Sequence, residues 1–334
     1  MNSQANHPES LLWPGTILGL PRGLARAFMV SFALLILFLD SGDSSPGGAT
    51  LREQAVGVQS EAPRTRDEME AWIAAARSAI KSHLDEEWQR RFDREFYPEQ
   101  TVREWLGGAS NVFVVAPHGY PGDDDHTDYL AYFLSIELNA NYLINNKAFH
   151  KPGKSRPTGT AANLNRPWSP NPHTRRFMER IVKITRETGR KSGCSPLVIA
   201  VHGMSDANAR RYAAGDYAIG AGYTRSERDA AFAESGLATA SRDVVEGLLR
   251  GLRDRGHLAT DGIPQYSAKS AIPAFLKQEE NEITGVQAVQ IEVRYRGFRD
   301  PNSLVNTARS LAAAIRSLPV YKGPRGRRFT ETAR

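Results

Sequence analysis

The stretch Val112-Phe113-Val114-Val115-Ala116-Pro117-His118-Gly119 is a β-branched apolar run that ends on a histidine and a glycine. Runs of this length and composition form strands buried on both faces of a mainly parallel sheet. The pattern recurs twice. Leu197-Val198-Ile199-Ala200 leads into Val201-His202-Gly203, and Val286-Gln287-Ala288-Val289 leads into Gln290-Ile291-Glu292. In open α/β sheets, sites form just beyond the carboxyl ends of the strands. Two imidazoles and a carboxylate delivered there can meet in space, and zinc hydrolases are built from such donors.

Helical patterns separate these runs. Helices are expected at about 127–138, 174–188 and 241–255, a short strand at 142–144, and an amphipathic closing helix at 303–318. Upstream, Met69, Trp72, Ile73, Ala76, Ile80 and Leu84 recur at helical spacing, which predicts one helix from about 65 to 92. Alternating strands and helices imply an α/β sandwich. Residues 147–172, rich in Lys, Asn, Pro and Gly, read as one long loop, and loops of that length in compact domains are usually functional or disordered. There are no internal repeats.

The 334 residues suffice for one large domain or two small ones. The net charge of +6 comes from scattered arginines. The densest basic group, Arg325, Arg327 and Arg328, reads as a solvated tail, so no nucleic-acid partner is expected. A single cysteine, Cys194, excludes an intramolecular disulfide and a multi-cysteine metal site. It reads as a small packed residue before a strand.

Residues 27–39 (AFMVSFALLILFL) are almost wholly apolar, with Arg22 and Arg26 before them and Asp40 and a Ser/Gly/Pro stretch after. That is the layout of an export signal, shorter than the roughly 20 residues of a membrane-spanning helix. The expected order is an N-terminal segment (1–26), a signal peptide or signal anchor (27–39), a flexible linker (40–66), a folded domain (67–320) and a basic tail (321–334). The protein is expected to be extracytoplasmic, secreted or periplasmic. Membrane contact follows only if the apolar segment is retained.

His118 and His202 are the candidate metal-binding imidazoles. The cluster Asp123-Asp124-Asp125-His126-Thr127-Asp128 either caps the next helix or adds a carboxylate ligand. Asp124, Asp125 and Asp128 all stay open for that role. In Asn163-Leu164-Asn165-Arg166-Pro167, the Arg166 guanidinium suits a substrate carboxylate or a developing oxyanion, with Asn165 as a second donor. Plain turn chemistry before Pro167 is the alternative. Glu292 is either a general base facing a metal-activated water or a solvent-facing strand residue. Arg294, two residues on, shares its face and can pair with it. Gly215-Asp216-Tyr217-Ala218-Ile219-Gly220 reads as a pocket wall or a turn.

Pro117-His118-Gly119, Asp124-Asp125-His126-Thr127-Asp128, Asn163-Leu164-Asn165-Arg166-Pro167, Val201-His202-Gly203 and Val289-Gln290-Ile291-Glu292 stand in the order seen in N-formylglutamate amidohydrolase-like proteins. From about 111 to 299 the chain resembles that family. The resemblance implies a phosphorylase/hydrolase-like (zinc exopeptidase-like) α/β fold with a mixed central sheet flanked by helices, and an amidohydrolase-like catalytic domain over 67–320. It implies Zn2+ held by His118, Asp124 or its neighbour Asp125, and His202. Asn165 and Arg166 would hold a substrate carboxylate, and Glu292 would be the base. Position 163 is Asn where the family has Asp. The expected activity is hydrolysis of an amide bond in a small acidic N-acyl amino acid or peptide. The alternatives are an exported non-catalytic binding protein on a degenerate hydrolase scaffold, or an esterase or deacetylase using the same metal.

Overall fold

The structure, a computed structural model, describes residues 66–95, 102–119, 124–145, 164–233, 237–278 and 283–324. All of them belong to one unit, Gln59–Arg334. The export segment, most of the linker, Asp123, Asn163 and the arginines at 325–328 lie outside the described residues.

Among the described residues seven strands form one sheet. They are β1 Val102–Trp105, β2 Val112–Ala116, β3 Asn141–Asn145, β4 Leu197–Met204, β5 Tyr217–Gly220, β6 Ala259–Asp261 and β7 Gln287–Arg294. Their order is β1-β3-β2-β4-β7-β5-β6. The central four, β3, β2, β4 and β7, are parallel. β1 pairs antiparallel with β3, and β5 antiparallel with β7, with β6 parallel to β5. The sheet is therefore mixed and the fold is α/β. Within the stretch 215–220, Tyr217–Gly220 form the strand β5, and Gly215 turns the chain into it at φ 73°.

Nine α-helices accompany the sheet among the described residues: α1 Arg66–Lys81, α2 Glu86–Glu95, α3 Thr127–Glu137, α4 Pro172–Ser192, α5 Asp206–Arg211, α6 Arg228–Ala233, α7 Arg242–Arg253, α8 Ile272–Gln278 and α9 Leu304–Arg316. Side chains alternate across the pleat. Val112, Val114, Ile199, Val201 and Ile291 pack with α3, α7 and α9, whereas Phe113, Val115, Val198 and Ala200 pack with α4 and α8. Both faces are covered, which is why the central strands are apolar throughout.

Local chemistry sets the helix ends. Asn171 caps α4 by accepting from the His173 N–H, Pro172 sits in its first turn, and Gly193 ends it at φ 65°. Ser241 caps α7. The single helix expected over 65–92 is two. His83 and Leu84 bond back three residues, Ser82 bonds the Ala79 carbonyl, and Asp85 accepts from the Trp88 N–H and so starts α2. No helix among the described residues is long and apolar enough to cross a membrane.

Candidate active site

His202 and Glu292 lie opposite each other on the parallel pair β4 and β7. Residues in register on parallel strands project to the same face, here the α4/α8 face carrying Ala200 and Ala288. Both are buried. His118 lies two residues beyond β2, also buried, and its ring centroid is 5.3 Å from that of His202. The turn carrying His118 is pinned at both carbonyls. Asn145 donates to the Pro117 oxygen (2.9 Å) and Thr127 to the His118 oxygen (2.6 Å). Gly119 allows the close backbone approach, since a Cβ there would sit 2.6 Å from the Cβ of Asp128.

Of the three candidate aspartates, Asp124 is the one whose carboxylate meets His202, with Oδ2 3.0 Å from Nδ1. Asp124 and His126 both have positive φ, 52° and 65°. Asp and His tolerate this region better than most residues, and two such residues in one short turn need external support. Arg299 provides it. The buried guanidinium donates to the carbonyls of Asp125, Met204 and Val293, and its own carbonyl bonds Nδ1 of His126. The His126 ring is stacked between Trp72 of α1 and Tyr295.

Gln290 donates to Glu292 Oε1 (2.8 Å), and Asn165 donates to Gln290 Oε1 across a longer 3.4 Å. Asn165 also accepts from the first amide of α8, Ile272 N–H. The Asn165 turn is thereby tied to the general-base candidate. Arg166 on the same turn is exposed. The expected Arg294–Glu292 pair is not formed. Arg294 turns to Asp216 (3.2 Å) and Asp206 (3.7 Å) at the end of β7, where those carboxylates offer partners in a more exposed setting.

Burial disfavours the Asp124 carboxylate, but the His202 hydrogen bond and the charges of His118, His202 and Arg299 outweigh it and hold the group below the ordinary carboxylate range. Asp128 behaves oppositely. Burial pushes it up to about 7, although the N–H groups of Tyr129 and Asp128 pull the other way. Because the folded-state value is raised, the folded chain holds a proton between about pH 4 and 7 that the unfolded chain releases, and stability falls as pH rises through that window. Asp128→Asn is therefore expected to stabilise the fold by roughly 1–4 kcal/mol at pH 8 and by much less at pH 4.5. Urea unfolding of both proteins at the two pH values measures this; an equal effect at both would show that ionisation is not the cause.

The donor set matches zinc in kind, two imidazoles and a carboxylate. With bonds of about 2.0–2.1 Å to a tetrahedral ion, two ligand atoms stand about 3.3 Å apart and two ligating imidazole centroids about 5 Å apart. The observed 3.0 Å and 5.3 Å are close to these spacings. Among the described residues no three His, Cys, Asp or Glu side chains close into a single metal-binding group.

Three neighbours of this site were not visible as such in the sequence. Arg299 sits in an irregular turn. Gln290 reads as one more strand residue. Tyr266 carries a buried hydroxyl, disfavoured from ionising by burial and by the nearby charges of Glu292 and Asp124. Arg299 depends on contacts across many residues of sequence, and Gln290 joins Glu292, two residues on, to the distant Asn165.

No family model matches the chain, and no curated protein matches it. Solved structures do. A protein from Agrobacterium tumefaciens shares 12% identity over 65% of this chain and 94% of that one, with a TM-score of 0.44. Succinylglutamate desuccinylase from Chromobacterium violaceum shares 10% over 75% of each chain, with a TM-score of 0.36. The chain is likewise similar to N-formylglutamate amidohydrolase from Ralstonia eutropha JMP134, at 15% identity over 65% of this chain and 95% of that one, with a TM-score of 0.41.

Proposed function

We propose that this protein is a zinc-dependent amidohydrolase, exported from the cytoplasm, that cleaves an amide bond beside a carboxylate in an N-acyl amino acid or small peptide. The observation that carries the reading is that His202 stands beside His118 and Asp124 and in register with Glu292 near the carboxyl edge of one sheet, although these residues are far apart in sequence. His118, Asp124 and His202 hold the ion. When bound, zinc polarises a carbonyl and lowers the pKa of water to about 7.

The protein's own residues do the rest. Gln290 fixes one oxygen of the Glu292 carboxylate. Glu292 takes the proton of the attacking water and delivers it to the leaving nitrogen. Burial of His118, His202 and Glu292 keeps the local dielectric low, which strengthens each electrostatic contact. Arg166, exposed at the rim, attracts the substrate carboxylate, and Asn165 links that turn to the base through Gln290.

Metal content of the full chain tests this. About one zinc per chain is expected, lost in His118→Ala and in His202→Ala, with a panel of N-acyl amino acids then showing turnover. Full zinc and full turnover in either variant would remove that histidine from the ligand set. A folded protein that refuses added zinc would leave the non-catalytic binding scaffold as the better reading.

A further inference from the structure

One helix carries a local excess of positive charge. Helix α4 alone carries seven Lys and Arg residues against two Glu, nearly the whole net charge of the chain. Its apolar stripe, Phe177, Met178, Ile181 and Ile184, packs on the sheet, so the charged residues face outward. Two grooves run along this outer side. The first, about 720 Å³, has Trp168 and Phe275 in its wall and Arg175, Glu179, Lys183 and Arg186 along the helix. The second, about 490 Å³, shares Lys183 and Arg186 and continues to Arg190. The spacing 175, 179, 183, 186, 190 is that of one helix face.

The position of this track matters. It begins at Pro167 and Trp168, directly after the Asn165–Arg166 turn that is bonded to Gln290 beside Glu292. Trp168 is half exposed, an unusual state for an indole, and meets Phe275 edge-on at 6.5 Å. Along the track, Glu187 is engaged by Arg190 and Lys191, leaving Glu179 as the other carboxylate on the helix. Arg175 and Lys183 are both exposed.

We propose that this groove binds the distal part of the substrate, and that an extended acidic peptide chain is preferred over a single amino acid derivative. The inference rests on the hydrolase reading for its direction and on the α4 groove for its content. From 175 to 190 the helix rises about 22 Å. An extended peptide covers that with about six residues. Side-chain carboxylates of such a chain meet the cations of α4, while its backbone and methylene groups lie against Trp168 and Phe275. Attraction of this kind weakens with salt.

The test is binding to the full chain after chelator treatment, so that turnover plays no part, followed by Trp fluorescence and calorimetry. The probes are N-acetyl-hexaglutamate and N-acetylglutamate. The hexamer is expected to bind at least tenfold tighter at low salt. That advantage should vanish in Arg175→Glu/Lys183→Glu and shrink in Trp168→Ala, with thermal unfolding unchanged. Equal binding of the two probes, or charge reversal without effect, would overturn the proposal. Tighter binding of single-stranded DNA or of phosphatidylglycerol vesicles than of the hexamer would also overturn it. The two readings separate cleanly. Hexamer binding with no turnover after zinc is restored upholds the groove and removes the hydrolase. Turnover that is indifferent to chain length upholds the hydrolase and removes the groove.

Discussion

Glu292→Gln is expected to keep the fold and the metal while lowering turnover by about 10²–10⁴-fold, the usual contribution of a positioned general base. The substitution conserves shape, and the buried amide can still meet Gln290 by presenting its oxygen to the Gln290 amide group that now bonds Glu292 Oε1. Nothing in the core need move. The loss would therefore fall on proton transfer, and KM for an N-acyl amino acid should change little. Zinc content and kinetics on the same preparation decide the matter. Turnover within threefold of the parent would strip Glu292 of its role and shift attention to another buried carboxylate. A loss of zinc along with activity would instead place Glu292 among the ligands.

How far could such a site be read before the fold was known? The placement of the two histidines and Glu292 at or near the carboxyl ends of strands was legible because each ends an apolar run, and a strand buried on both faces has few other ways to write itself. The register that sets His202 beside Glu292 was not, because it depends on which strands are neighbours. The short outer strands were also hidden. β1 and β6 span four and three residues and are only partly buried, so no alternation or long apolar run marks them. β5 was hidden by the glycines at its two ends, Gly215 just before it and Gly220 as its last residue. One of these, Gly220, is where the loop carrying Tyr266 crosses so closely that a Cβ would meet the Tyr266 carbonyl oxygen. The break between α1 and α2 depends on polar side chains at Ser82 and Asp85, which the hydrophobic period passes over. The α4 charges were visible individually, but their gathering on one face needed the helix ends. Residues whose role is to join distant segments leave no local pattern at all.

Arg299 is the extreme case, and its removal should cost the most stability. Arg299→Met is expected to destabilise the fold by about 3–5 kcal/mol, the scale of breaking a buried charged network. The guanidinium satisfies carbonyls on three separate segments, those of Asp125, Met204 and Val293. Each carbonyl left without a partner costs about 1–3 kcal/mol, and the costs are not additive. Lys cannot replace it, because a single ammonium does not reproduce a planar fork aimed in three directions. The same grip explains Gly203. A Cβ there would stand 2.3 Å from the guanidinium carbon, and a side chain held by three hydrogen bonds has nowhere to retreat. Gly203→Ala should therefore mimic the Arg299 variants in part. The consequence reaches the site through Asp124, whose left-handed turn is held down at Asp125 and His126 by Arg299. A loosened turn lets the carboxylate leave His202, so zinc affinity should fall even in Arg299→Lys molecules that remain folded. Urea unfolding and zinc titration measured together give the answer. A variant that loses less than 1 kcal/mol and binds zinc as tightly as the parent would show that the turn is held by its own packing, with Trp72 and Tyr295 against His126 as the support instead.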